Sequence, residues 1–352
     1  MSQSSFGSPI VYLKGQEISY TNITFTDTGN NLPNTLTISS QEVDLLDSKL
    51  FNSDIVMYLN AGTHDDVAFF RGKIRDITPA ENKVTMKAID AIGLLTGSHS
   101  TKITLTDDYN YDGYSLTGFL IDYINKNINV KETIIGLDFI NEITPSVTLS
   151  NYRGQKTPLQ VVKENIKSNT SNINDITNYK IGLIDDGSKS QIVFRKQQQL
   201  SNSSVKFNYS DGIRSISYKK RNPPNIIAGS VDGITKTYQH NTLPTGPNVK
   251  NIQAREPFRD PDSFKRHAFL MAHAEETRNE ITITVDKGYY LDVGNVIYLS
   301  LEDYPDLIGK HRITGKTITI SKGGLSCNLK LSRETPEVSY YLGEATVPVT
   351  RF

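Results

Sequence analysis

One cysteine, Cys327, and no tryptophan occur in the whole chain. A lone thiol excludes any internal disulfide and any cluster of thiolate metal ligands. Its setting, "LSCNLKLS", alternates polar and apolar residues like a strand, in which a small thiol faces the core. Charge of either sign is also missing as a surplus: 38 basic and 38 acidic residues cancel. Phosphate neutralisation dominates affinity for nucleic acid, so a dedicated binder is expected to be basic, and this chain is not. No stretch approaches the roughly 18 uninterrupted apolar residues of a membrane-spanning helix. The opening residues, "MSQSSFGSPIVYLKG", lack the basic-then-apolar pattern of a secretory signal. These absences lead to the expectation of a protein made and kept in a reducing cytoplasm, or released from it without export.

What is abundant is Asn, Thr, Ser, Ile and Tyr, a mixture that favours strands and polar turns over long helices. At 352 residues the chain has room for two or three domains with substantial cores. Strands are predicted at "NTLTISS" (34–40), "DIVMYLN" (54–60), "VAFFRGKIRDI" (67–77) and "NKVTMKAID" (82–90), separated by turn-forming "AGTHDD" and "TPAEN". Short strands at this spacing point to a barrel or sandwich. After Gly97 the character changes. In "YSLTGFLIDYINKNI" (114–128), Leu116, Phe119, Leu120, Tyr123 and Ile124 recur at helical spacing. A second helix is expected over 156–169, with Thr157 as N-cap, Pro158 in the first turn and Leu159, Val162 and Ile166 as its buried stripe. "YKIGLIDDGSKSQIVFRK" (179–196) reads as a hairpin turning at Asp-Asp-Gly-Ser. Strands return at "VKFNY", "IRSISY" and "NIIAGSV". A polar, proline-bearing stretch (241–262) reads as a long loop, and a helix over 262–279 is expected, capped by Asp262 and burying Phe264, Ala268, Met271 and Ala272. The final strands are expected at 280–286, 295–301, 309–321 and 324–332. Residues 55–88 and 296–331 echo each other: an apolar strand with a central aromatic, then Gly-Lys-x-Arg leading into a strand, then an alternating partner.

Motifs that carry chemistry fail on spacing. "GKHRITGKT" (309–317) has five residues between Gly309 and Gly315, one more than a phosphate-binding loop, and it alternates as a strand. "DYNYDG" sets Asp108, Asn110 and Asp112 before Gly113, the first half of a calcium loop. Phe119 stands where the bidentate glutamate belongs, so the alternatives are calcium and a polar turn capping the helix that starts near Ser115. The six histidines are scattered; His267 and His273 share a predicted helix but lie six apart, on different faces, whereas helical zinc pairs want four. No Gly-x-Ser-x-Gly elbow occurs. The basic knot Lys219-Lys220-Arg221, followed by Pro223-Pro224, reads as a solvated strand end, because proline cannot donate to a further ladder. No catalytic, cofactor-binding or metal residue is assigned, and no enzyme activity is expected.

The order of the pieces is more telling than any one of them. "KAIDAIGLL", "GYSLTGFLIDYI", "TPLQVVKENI", "YKIGLIDDGSKSQIVFRK", "NYSDGIRSISYKKRNPPNIIAGSVDG" and "GYYLDVGNVIYLSLEDYPDLIGKHRITGKTITISKGGLSCNLKLS" follow one another, and Leu291, Gly294, Val296 and Leu299 fit a closing pattern. Over residues 20 to 332 this resembles the baseplate hub proteins of tailed phages and contractile injection systems, the late-control-D-like group. The resemblance implies a mainly β fold with an α+β insert: two tail-tube-like β-barrel domains flanking a small α+β domain. The implied boundaries are 1–98 for the first barrel, 99–203 for the α+β middle domain, 204–332 for the second barrel with its helix 262–279, and 333–352 for a C-terminal arm.

It further implies a homotrimeric ring that adapts a six-fold tail tube to a three-fold central spike and forms part of the genome or effector conduit. The partners it implies are the tube or tube-initiator protein, the spike, the tape-measure protein and the baseplate wedge, with DNA only as passing cargo and no membrane span. The place is the virion tail baseplate, assembled in the host cytoplasm. With no lysozyme or needle segment before residue 352, the spike is expected to be a separate protein docked by the arm. A carbohydrate- or receptor-binding tail module is the competing reading, since tyrosine-containing β-rich chains suit it equally.

Overall fold

Period-two alternation builds strands with one inward face, and the N-terminal region obeys it closely. The computed structural model of the chain describes residues 9–29, 33–59, 68–96, 103–105, 113–127, 140–141, 154–161, 179–185, 189–196, 205–219, 226–231, 234–239, 249–251, 268, 280–286, 288–322 and 324–332. Two compact units divide the chain. One comprises Met1–Gln197, Lys287–Val293 and Gly315–Cys327, the other Gln198–Asp286, Gly294–Thr314 and Asn328–Phe352. No helix among the described residues is long and apolar enough to cross a membrane.

The first unit contains β1 (Ile10–Leu13), β2 (Gln16–Glu17), β3 (Asn22–Asp27), β4 (Thr35–Ser40), β5 (Asp54–Tyr58), β6 (Phe70–Ala80) and β7 (Lys83–Asp90). Their ladder runs β3-β4-β7-β6-β5-β1-β2, antiparallel throughout. Only four residues, 18–21, separate the last strand of that order from the first. Ile18 N donates to Val11 O at 2.9 Å, and Thr21 N donates to Ser39 O at 2.8 Å. One run of chain is thus bonded to β1 at its start and to β4 at its end, which curls the sheet back on itself. The inward face carries Val11, Ile23, Phe25, Leu36, Ile38, Ile55, Met57, Ile74, Val84 and Met86, all buried. Two tight turns sharpen the curl. Lys14 and Gly15, at φ 51° and 78°, join β1 to β2, and Asn82, at φ 55°, ends β6.

Also in this unit, β8 (Ile103–Leu105) pairs with β10 (Gly154–Lys156), and β9 (Ile140–Asn141) lies parallel to β12. β11 (Tyr179–Asp185) and β12 (Ser190–Lys196) form the expected hairpin. Helix α1 (Leu116–Asn127) starts where Ser115 Oγ accepts from Gly118 N at 3.0 Å, and it buries Phe119, Leu120 and Tyr123. The second predicted helix begins at 158 with a reciprocal cap. Gln160 N donates to Thr157 Oγ1 at 3.2 Å, and Thr157 N donates to Gln160 Oε1 at 2.9 Å. Leu159 and Val161 are buried there; the side chains of Leu116, Ile124, Val162 and Ile166 lie outside the described residues.

The second unit holds β13 (Val205–Phe207), β14 (Ile213–Lys219), β15 (Ile226–Val231), β16 (Ile234–Gln239), β17 (Val249–Asn251), β18 (Glu280–Val285) and β19 (Val296–Leu299). β20 (Gly309–Ser321) and β21 (Gly324–Ser332) each begin in one unit and end in the other. The ladder here runs β14-β18-β21-β20-β19-β13. Again its two ends belong to one run of chain, since β13 leads into β14 through Gly212 at φ 91°. The last half of β20, which belongs to the first unit, pairs there with β3, Lys316 opposite Asp27 and Ser321 opposite Asn22.

Setting β2–β3, β4, β5, β6 and β7 against β13–β14, β18, β19, β20 and β21 reproduces the same strand order in both units. One strand differs: β1 stands between β5 and β2, whereas β13 pairs directly with β19, in parallel. The sequence echo therefore falls on equivalent strands. Its Gly-Lys-x-Arg element lies on equivalent strands, β6 and β20, but in different registers: Gly72 faces Ile55 near the start of β5, while Gly309 faces Leu299 at the end of β19.

One expectation changes. The stretch 241–262 is not all loop: Val249–Asn251 is a strand parallel to β15, which also pairs with β16 in an unforeseen hairpin. Of the predicted helix 262–279 only Ala268 lies within the described residues, helical and fully buried. Packing is tight around Gly72 in β6. A Cβ there would meet the Ile89 carbonyl oxygen and lie 2.6 Å from the Phe70 ring. Gly72→Ala is expected to lower the unfolding free energy by about 1–3 kcal/mol, read as a shift in urea midpoint at unchanged slope.

Candidate functional site

Most of the positions singled out in the sequence lie outside the described residues. Asp108, Asn110 and Asp112 lie outside the described residues, which begin again at Gly113, at φ 82°. His64, His99, His240, His267 and His273 also lie outside them. Among the described residues no group of three or more His, Cys, Asp or Glu side chains could hold a metal ion. His311 is fully buried in β20, its Nε2 2.8 Å from Leu307 O. The glycines of "GKHRITGKT" lie within one continuous strand, so no phosphate cradle forms there. Cys327 is buried in β21, and burial pushes its thiol up to about 11, the behaviour of an inert core thiol. Lys219 is exposed at the end of β14, as expected of a solvated strand end; Lys220 and Arg221 lie outside the described residues.

The closing pattern acquires a physical reason. Leu291 and Val296 are buried on either side of Gly294, whose φ of 97° disfavours a side chain. Gly294 N donates to Ile313 O at 2.8 Å, and the Arg312 guanidinium donates to Gly294 O at 2.8 Å from a buried position. Burial lowers the Arg312 pKa from its ordinary value.

Two buried charged groups went unrecognised in the sequence. Asp90 ends β7 and caps the 3₁₀ turn Ala91–Leu95; its carboxylate accepts from Ile92 N at 3.1 Å and from Asn34 N at 2.9 Å. Burial raises its pKa from 3.8 to about 7, outweighing the backbone donors that lower it, and neighbouring Asp27 adds a smaller repulsion. Lys316 is 4% exposed on β20. Its ammonium donates to Leu291 O at 2.6 Å and to Tyr289 O at 3.3 Å, and lies 5.8 Å and 5.7 Å from the ring centres of Phe25 and Phe69. Parity was the available signal: Lys316 shares the strand face of Ile318 and Ile320, and Asp90 is flanked by apolar Ile89, Ala91 and Ile92.

The surface offers aromatics. Tyr290 is 59% exposed, and Tyr209 and Tyr304 are also exposed. The Tyr209 hydroxyl is raised above its ordinary pKa by desolvation, with Asp303 and Tyr304 contributing. Ser300 N donates to Phe207 O at 3.0 Å, which ties the two loops that carry them. This arrangement can contact a partner; it assembles no nucleophile with a base.

Two solved structures match over nearly their whole length. The tail protein from Neisseria meningitidis MC58 is 12% identical at a TM-score of 0.61, covering 94% of this chain and 98% of its own. The 43 kDa tail protein of prophage MuSo2 from Shewanella oneidensis is 10% identical at 0.62, with the same coverages of 94% and 98%. The fold is that of a phage tail protein. The same tail-protein fold reaches the E. coli c3393 protein, a component of the type VI secretion system, at 10% identity and a TM-score of 0.51, covering 93% of this chain and 77% of that one. No family model and no curated protein matches the sequence.

Asp90 generates a pH signature. Because its folded pKa lies above the unfolded value, the folded state holds the proton more tightly. The group's stabilising contribution is complete below about pH 4 and is lost as pH rises through about 7. Asp90→Asn removes that titration. Urea midpoints measured across this window are expected to fall less steeply with rising pH in the variant than in the wild type; parallel curves would show that Asp90 does not titrate there.

Proposed function

We propose that the chain is a structural baseplate hub of a phage-type tail. In this reading three copies form a ring that adapts a six-fold tube to a three-fold spike and lines part of the conduit. The observation that carries it is the repeated strand order. Two like-shaped units per chain let three chains present six similar faces, which is the geometric requirement for joining a six-fold partner to a three-fold one. The likeness of fold to the Neisseria and MuSo2 tail proteins supports the same direction.

The chain organisation proposed is a first barrel over 1–98, a middle domain over 99–203, a second barrel over 204–332 and a spike-docking arm over 333–352. Its partners are the tube or tube-initiator, the spike, the tape-measure protein and the wedge proteins, at the virion tail baseplate after assembly in the host cytoplasm. DNA passes through without being held, in keeping with the zero net charge. The role is mechanical and requires no turnover. A carbohydrate- or receptor-binding tail module is the second reading, favoured by exposed Tyr290, Tyr209 and Tyr304.

Mass measurement of the chain alone and mixed with tube and spike proteins tests the proposal. A trimer in either sample is expected. A chain that stays monomeric with both partners present, or that binds cell-wall glycan as a monomer, would overturn the hub reading. Removing 336–352 is expected to abolish recovery of the spike in a pull-down while leaving the trimer intact.

A further inference from the structure

The connection between β18 and β19 behaves unlike its counterpart. In the first unit, the equivalent β4–β5 connection stays within its own unit and is filled by two 3₁₀ turns, Val43–Leu46 and Ser48–Leu50. Lys287–Val293 instead belongs to the first unit, although the chain on both sides of it belongs to the second. This strap contains a tight turn in which Leu291 N donates to Gly288 O at 3.1 Å, with Tyr289 and Tyr290 at its tip. The two rings meet edge to face, 5.8 Å apart at 88°, and Tyr290 is 59% exposed.

Lys316 holds this turn from beneath. Its ammonium bonds the carbonyls of Tyr289 and Leu291, the residues on either side of Tyr290, at 3.3 Å and 2.6 Å. Asp292 Oδ1 stands 3.7 Å away, and the Phe25 and Phe69 rings complete the surroundings at 5.8 Å and 5.7 Å. An ammonium this deeply buried must be met by donor-seeking oxygens and ring faces, or burial would be prohibitive. Both hydrogen-bonded oxygens are backbone carbonyls, with the Asp292 carboxylate a more distant contact, so the clamp acts first on the course of the strap.

We propose that Lys316 is a positioning residue: a buried clamp that docks the strap at Gly288–Val293 and sets the direction in which the exposed Tyr290 turn projects. The strap then has two arrangements, docked with both carbonyls on the ammonium, or released. Buried Leu291 and Val293 also anchor it; the clamp fixes the tip between Tyr289 and Leu291. This inference does not depend on the ring.

Amide hydrogen exchange of the full chain tests it. In Lys316→Met, exchange at Tyr289 to Val293 is expected to quicken about tenfold or more, which corresponds to about 1.4 kcal/mol of local opening. Exchange in β3 and β4 is expected to stay as in the wild type. Tyr290→Ala is expected to leave the strap's exchange unchanged, because the clamp grips backbone. If Lys316→Met does not fold, Phe69→Leu, which removes one ring and keeps both carbonyl bonds, is expected to quicken strap exchange by about two- to fivefold. Unchanged strap exchange in the folded Lys316 variant would overturn the inference, leaving Leu291 and Val293 packing as the anchor. An increase spread evenly over the unit, or an equal increase in Tyr290→Ala, would overturn it too.

Discussion

Each curled sheet depends on one run of backbone that serves both of its ends. A strand at the edge of a sheet exposes a row of unpaired donors and acceptors, and a protein must close, cover or charge that edge. Here β2–β3 and β13–β14 each give their first residues to one end of a ladder and their last residues to the other. The curl follows from covalent continuity, and the buried aliphatic face follows from the curl. Between β13 and β14, Gly212 supplies a positive φ angle where the continuous run switches partners.

Within that frame the first unit buries charge as well as hydrocarbon. A buried ammonium or carboxylate persists only when fixed dipoles replace water. Lys316 is met by two carbonyl oxygens and two aromatic faces, Asp90 by two backbone N–H groups. Both are local devices that hold non-strand backbone: the Asn34 end of one turn and the 3₁₀ turn after β7 for Asp90, and the strap for Lys316. Arg312 does the same for Gly294 in the second unit. Irregular segments in this protein are secured by single buried polar side chains, while the strands are secured by alternation.

That division explains what could be read in advance. Alternation is written residue by residue, so β4, β7, β18, β20 and β21 were placed within a residue or so of their observed ends. The hairpin β11–β12 and the Thr157 cap were placed equally well, because turn and cap chemistry is local. Short strands whose partners lie far along the chain, β17 and β9 among them, have no local signal, since a three-residue segment is a strand only by virtue of its neighbour. The echo between the repeats was visible as pattern, yet its most memorable letters, Gly-Lys-x-Arg, occupy different registers; strand order was retained where residue identity was not. Lys316 and Asp90 were missed because a charge in an alternating run is ordinarily assigned to solvent.

The extra strand β1 has a consequence for symmetry. A curled sheet widens with each strand added, and only the first repeat carries this one. The two repeats therefore share a strand order while differing by one strand in their ladders. A partner shaped to one repeat would meet an additional strand on the other, so the two are alike in order without being interchangeable.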